Sequence, residues 1–186
     1  LERPYRSNLL RWADANPEYQ VFLWISSEFV SEKEHQGLKR WAVANGIKLK
    51  CGDDLIRKAD LDAIYTSELT ERRYAAASDM LRFVVLYNEG GVYLDTDVQA
   101  GPSLGTLDAP LGALFVYTKR QNRLGAFLPH AMASCPEHPL LPLVFNRIRS
   151  NYFLLKQETD IGWRYDPSPE WRYTATLSLT GEVITP

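Results

Sequence analysis

Cysteine is scarce in this chain of 186 residues: only Cys51 and Cys135 are present, far apart and without a C-x-x-C spacing. That excludes a disulfide framework and argues against a zinc site, so each reads as an ordinary buried thiol. Long apolar runs are lacking as well. The longest, residues 109–117, falls far short of the roughly 20 residues that span a bilayer, and no transmembrane segment is expected. Positive charge is not in excess either. With 21 Lys and Arg against 23 Asp and Glu, the net charge of -2 provides no field for gathering a polyanion, so nucleic acid is not an expected partner. Low-complexity tracts and internal repeats are missing too. What is present, 45% hydrophobic and 12% aromatic residues, belongs to a folded domain able to bury about 70% of its unfolded surface without a staple. The opening Leu1-Glu2-Arg3-Pro4 has neither an initiator Met nor the layout of a secretion signal, which reads as a domain cut from something longer.

Helical and extended patterns alternate from the start. Ser7 can cap a helix carrying Leu9, Leu10, Trp12 and Ala13, which Asn16-Pro17 stops. Residues 19–25 read as a buried strand. Ser31-Glu32-Lys33-Glu34 has the pattern of a capping box, and Asn45-Gly46 closes the helix it opens before a short strand over residues 47–51. A helix of about a dozen residues between two strands is the connection a parallel sheet requires, and the pattern returns over residues 71–95. Two further strands, 112–118 and 126–133, suit an antiparallel pair. Pro139 is placed to open a helix reaching about Lys156, with Leu140, Leu141, Val144, Phe145 and Ile148 as its apolar face. The fold class is α/β in one domain, residues 1–186.

Chemistry concentrates in residues 74–98. Ala77, Met80, Leu81, Val84 and Val85 form an apolar helix face, while Asp79 and Arg82, three apart, share another side and could clasp a polar ligand. Gly90 can end the helix, Gly91 permits a tight reversal, and the strand from Val92 delivers Asp95 at its carboxyl end. In an open α/β sheet that end is where ligands bind. Asp95 and Asp97 offer hard oxygen ligands suited to Mg2+ or Mn2+, with water and substrate phosphates completing the shell.

Taken singly, these signals are weak. Asp-x-Asp is common in solvated turns, and Asp79 with Arg82 reads more readily as an exposed helix pair worth roughly 0.5 kcal/mol. The ordered series of helix, double glycine, apolar strand and carboxylate pair is harder to obtain by chance.

The segment from Ala75 to Val98 closely resembles the sugar-nucleotide glycosyltransferases with a DxD motif, in the group holding the large clostridial glucosylating toxins and bacterial effector transferases. The resemblance runs more loosely from Ser7 to Pro186, through Asn16-Pro17-Glu18-Tyr19 and residues 133–139. It implies a GT-A fold and transfer with retention of anomeric configuration from a UDP-sugar. It further implies that Asp79 and Arg82 hold the donor's sugar and ribose hydroxyls and that Tyr93 lines the donor pocket. Asp97 would ligate Mn2+ or Mg2+ directly, and Asp95 would reach the ribose and a metal-bound water. A protein acceptor is preferred, with lipid or polysaccharide as alternatives. If the chain is an effector or toxin, it would be secreted and act in a host cytoplasm.

The family pattern also includes a first strand bearing a uracil-stacking aromatic ahead of Ser7, and a closing segment beyond Thr180-Gly181. Both are expected to lie outside this chain. Glu182 departs from the family's Thr-Gly-Pro turn. Trp24 falls on the second strand, where burial in the core is the expectation. His35, His130 and His138 show no metal spacing and are assigned no chemistry. Trp163, Trp171 and Tyr173 could form an acceptor platform or pack over a core edge. Two other functions stand beside the transferase. One is a haloacid-dehalogenase phosphatase, against which Gln99 and the central place of the motif count. The other is a catalytically silent sugar-nucleotide-binding domain.

Overall fold

The structure, a computed structural model, describes residues 3–117 and 127–160. They fall into two compact units, Leu1–Asp54 with Leu94–Pro110 and Leu55–Tyr93 with Leu111–Pro186.

The first unit is built on a βαβ element. Helix α1 (Arg3–Ala15) precedes strand β1 (Phe22–Ile25), helix α2 (Glu32–Ala44) and strand β2 (Lys48–Cys51). The two strands pair in parallel, with Leu23 opposite Leu49 and Trp24 opposite Lys50. Helix α1 starts a turn earlier than Ser7. Pro4 is tolerated there because the first-turn amides have no intrahelical partner to lose. Helix α2 is opened by the expected capping box between Ser31 and Glu34, and Gly46 follows its Asn45 cap with φ +69°. Leu9, Leu23, Ala42 and Ile47 form the core of this unit, with Leu38, Trp41 and Leu49 packed against them.

Alternation along β1 sends Phe22 and Trp24 to the face opposite Leu23. Trp24 is therefore half-buried rather than in the core, with the Lys50 ammonium 5.0 Å from its ring centroid. The expectation for the cysteines also changes, since both Cys51 and Cys135 are exposed.

Two short helices that the periodicity did not reveal, α3 (Asp53–Lys58) and α4 (Asp62–Thr70), come before α5 (Tyr74–Glu89) and β3 (Gly91–Leu94). Strand β3 lies in a three-stranded sheet of order β3-β5-β4, formed with β4 (Ala113–Tyr117) and β5 (Phe127–Ser134). Three helices thus separate β2 from β3, and the pattern over residues 71–95 does not continue the β1–β2 pairing. Strands β4 and β5 are antiparallel, as expected, with a register shift between Phe115 and Val116. Helix α6 (Leu140–Asp160) follows and extends four residues past Lys156.

Helix α5 lies at the centre of the second unit. Its Met80, Phe83 and Val84 have no exposure and meet Tyr65 and Leu69 of α4, Met132 of β5, and Leu141, Val144 and Ile148 of α6. The Tyr87 and Phe145 rings meet edge to face at 5.7 Å. The start of α5 is fixed by Arg73, which donates to both carboxylate oxygens of the buried Glu68 at 2.7 and 2.8 Å. Beyond its end, Gly90 takes φ +66°, and a Cβ built there would lie 2.6 Å from Pro136 Cδ. No described helix is long and apolar enough to cross a membrane.

Candidate active site

Helix α5 buries more than an apolar stripe. Its centre is enclosed on most sides, so Asp79 and Arg82, each 5% exposed, are withdrawn from solvent with the core. Arg82 Nη2 lies 2.7 Å from Asp79 Oδ1, and Nη1 donates to the Pro129 carbonyl at 2.7 Å. The guanidinium carbon stands 4.9 Å from the centroid of the Tyr93 ring, and the Tyr93 hydroxyl is 3.5 Å from Ser78 Oγ. Burial rules out the exposed helix pair. Three of the expected site residues, Asp79, Arg82 and Tyr93, therefore form one polar cluster of the second unit.

The other two belong to the first unit. Asp95 follows the last residue of β3, and its carbonyl accepts from the Val98 amide at 3.0 Å, which closes a turn over Asp95–Val98. The chain bends there, as two carboxylates one residue apart require in order to converge. Asp95 is half-buried and Asp97 exposed. The turn has partners on α1 that the sequence did not reveal. Asn8 Nδ2 donates to the carbonyls of Thr96 at 3.1 Å and Val98 at 3.0 Å, and Trp12 Nε1 donates to Val98 at 2.9 Å. Farther along the loop, Asn16 Oδ1 accepts from the Leu104 amide at 2.6 Å, and the Tyr19 hydroxyl donates to the Gly105 carbonyl at 2.6 Å. The four-residue spacing of Asn8 and Trp12 on one side of α1, with Asn16 four residues on and just past its end, was the available signal.

A second polar cluster in the first unit joins the carboxyl ends of β1 and β2. Asp53 Oδ2 accepts from the Ser27 amide, the Ser27 hydroxyl and Cys51 Sγ at 2.8–3.0 Å. Burial pushes the Asp53 carboxyl up, but the bonds from Cys51 and Ser27 more than offset it and hold the group below its ordinary value.

His138 has a structural job. Its Nδ1 accepts from the Leu140 amide at the start of α6, which leaves Nε2 to donate to the Leu111 carbonyl at 2.8 Å. Trp163, Trp171, Tyr173 and the Thr180-Gly181 turn lie outside the described residues.

Residues 5–112 match the family model described as glycosyltransferase sugar-binding region containing DXD motif. A curated relative, subversion of eukaryotic traffic protein A from Legionella pneumophila, is 30% identical over 111 residues, covering 55% of this chain and 16% of that protein. Cytotoxin-L from Paraclostridium sordellii is 34% identical over 98 residues, covering 47% of this chain and 4% of the toxin. The chain thus spans less than a fifth of either relative. Among solved structures, PaToxG glycosyltransferase superposes with a TM-score of 0.77 at 19% identity, covering 97% of this chain and 62% of that one. The fold is that of a glycosyltransferase, consistent with GT-A.

Proposed function

Because the chain belongs to the glycosyltransferases whose sugar-binding region contains a DXD motif, we propose that it is a metal-dependent enzyme moving a hexose or N-acetylhexosamine from a UDP-sugar to an acceptor protein, with retention of anomeric configuration. The observation that carries this reading is the Asp95–Val98 turn at the end of β3, closed by its own hydrogen bond and presenting an exposed Asp97. The family match sets aside the phosphatase.

The donor set fits a hard divalent ion. Among the described residues no group of three or more His, Cys, Asp or Glu side chains is placed to hold a metal. Two carboxylates would leave the remaining positions to water and diphosphate oxygens, which is how Mn2+ or Mg2+ is commonly held beside a nucleotide. Asp97 would hold the ion directly, and Asp95 would reach the ribose and a metal-bound water. When bound, the ion neutralises charge on the leaving diphosphate.

The chain's own groups do the rest. Asp79 accepts from the donor's hydroxyls, and Arg82, which already ties Asp79 to the Pro129 carbonyl, fixes the direction of that carboxylate and shares in the contact. Tyr93 lines the donor pocket. The names of the relatives, one tied to eukaryotic traffic and the other a cytotoxin, support a protein acceptor and secretion into a host cytoplasm.

Incubation with UDP-glucose and UDP-N-acetylglucosamine, with Mn2+ and with chelator, followed by assay of UDP release and of sugar transferred to host-cell proteins, tests the reading. Metal-dependent UDP release is expected. Its absence with a panel of sugar nucleotides would remove the proposed activity.

A further inference from the structure

We propose that Asn8 and Trp12 of α1 are positioning residues for the Asp95–Val98 turn, holding Asp97 in the orientation that binds a divalent cation. The inference rests on the metal-dependent reading above, but concerns residues that the reading does not use.

A four-residue turn at the end of a strand has one hydrogen bond of its own, from the Val98 amide to the Asp95 carbonyl at 3.0 Å. That bond closes the turn without fixing the direction of the peptides between its ends. The Thr96 carbonyl belongs to the peptide just before Asp97, and the Val98 carbonyl to the second peptide after it. The Asn8 amide carries two hydrogens and reaches both, at 3.1 and 3.0 Å. The second lone pair of the Val98 carbonyl takes the Trp12 indole N–H at 2.9 Å. Asn8 and Trp12 are one helical turn apart, so their donors are offered from a rigid rod rather than from another loop. The Asp97 side chain stays exposed while the backbone on both sides of it is pinned. A carboxylate whose backbone is already oriented loses less freedom when it meets an ion, which is the gain expected from preorganisation.

Asn16 continues the line. It accepts from the Leu104 amide and donates through Nδ2 to the Trp12 carbonyl at 2.9 Å. It holds the later part of the same loop and not the turn itself, so it serves as a contrast to Asn8.

The test compares wild type, Asn8→Asp and Trp12→Phe in the full chain. Asn8→Asp keeps the side-chain shape but replaces both donors with a carboxylate facing two carbonyl oxygens. Trp12→Phe keeps an aromatic ring, though a smaller one, and removes the N–H donor, so it serves where the first variant does not fold. Amide hydrogen exchange at Val98 and along β1 is measured alongside Mn2+ titration in the presence of UDP, read by electron paramagnetic resonance of the free ion. The expected result is faster exchange at Val98, by about tenfold for Trp12→Phe, which loses one hydrogen bond to the turn, and by more for Asn8→Asp, which loses two, with β1 amides unchanged and a Mn2+ dissociation constant raised by similar factors. Unchanged exchange at Val98 overturns the proposal, and so does exchange that rises equally in β1, because the residues would then serve the fold alone. If exchange rises only at Val98 while Mn2+ affinity matches that of wild type, the link to the cation is overturned. A wild-type chain that binds no Mn2+ overturns the metal assignment of the proposed function and with it the cation half of this inference, while the exchange data still decide whether α1 holds the turn.

Discussion

Arg82 and Asp79 form an ion pair of 2.7 Å in which both residues are 5% exposed, inside a helix whose other buried neighbours are apolar. Three residues apart on an exposed helix the same pair would be a minor surface contact. In the second unit both charges are largely withdrawn from water, Asp79 beside the Arg82 guanidinium and Arg82 donating also to the Pro129 carbonyl.

Removing one partner should therefore cost far more than the roughly 0.5 kcal/mol of a surface pair. Arg82→Ala is expected to destabilise the protein by about 3–5 kcal/mol, since it leaves the Asp79 carboxylate buried without its cation. Urea denaturation measures the loss. A change below about 1 kcal/mol would show that Asp79 finds another partner or reaches solvent.

Asp97→Asn should behave in the opposite way. The side chain is exposed, so the unfolding free energy should change by no more than an ordinary surface substitution, about 0.5 kcal/mol. Metal-dependent UDP release should fall by about a hundredfold, in keeping with loss of a group that acts on developing charge. Undiminished turnover by the folded variant would remove Asp97 from the metal assignment.

The two glycines that join α5 to β3 should differ. Gly90→Ala adds a Cβ 2.6 Å from Pro136 Cδ and 2.8 Å from its backbone nitrogen, at φ +66°. Gly91→Ala meets nothing within 4 Å, although its φ of +91° still strains an L side chain. The first should cost about 2–4 kcal/mol, overpacking and strain together, and the second about 1–3. Parallel urea titrations give the order, and a larger loss for Gly91→Ala would contradict it.

Acid should weaken the first unit through Asp53. Its carboxyl is held below the ordinary value in the folded chain, so its contribution is complete above the ordinary carboxyl range and is lost as pH falls through the lower folded value. Asp53→Asn should destabilise at pH 7, by about 1–3 kcal/mol for hydrogen bonds to a charged group. The gap to wild type should narrow as the pH is lowered into the acid range. A gap independent of pH would show that the charge is immaterial.

Local features were legible in the sequence. The capping box of Ser31 and Glu34 and the Asn45-Gly46 close depend on neighbours three or four residues away, and the series from Ala77 to Asp97 orders a helix, a turn, a strand and a carboxylate pair along one stretch. Non-local features were not legible. The bonds from Asn8 to the Thr96 and Val98 carbonyls link residues 88 and 90 positions apart, and no periodicity announces such partners. The half-burial of Trp24 follows from which face of β1 packs on α1 and α2, since a one-residue step exchanges the two faces. The short helix α3 escaped because six residues hold too few turns to show a period, although Asp53 and Asp54 at its start and Arg57 and Lys58 at its end complement a helix dipole. Burial of Asp79 and Arg82 depended on α4, α6 and β5 enclosing α5.

The line of Asn8 and Trp12 on α1, carried on by Asn16 just past its end, also constrains how this part of the chain can vary in length. Each residue inserted or deleted in a helix turns everything beyond it by about 100°. A single deletion between Asn8 and Trp12 would swing the indole away from Val98 while leaving Asn8 in register, and one between Trp12 and Asn16 would spare the turn but release Leu104. Leu9, on another side of α1, is held by packing in the core of the unit rather than by directed bonds, so apolar side chains of similar size can replace it. Related chains that keep this arrangement should therefore rarely differ in length between Asn8 and Asn16.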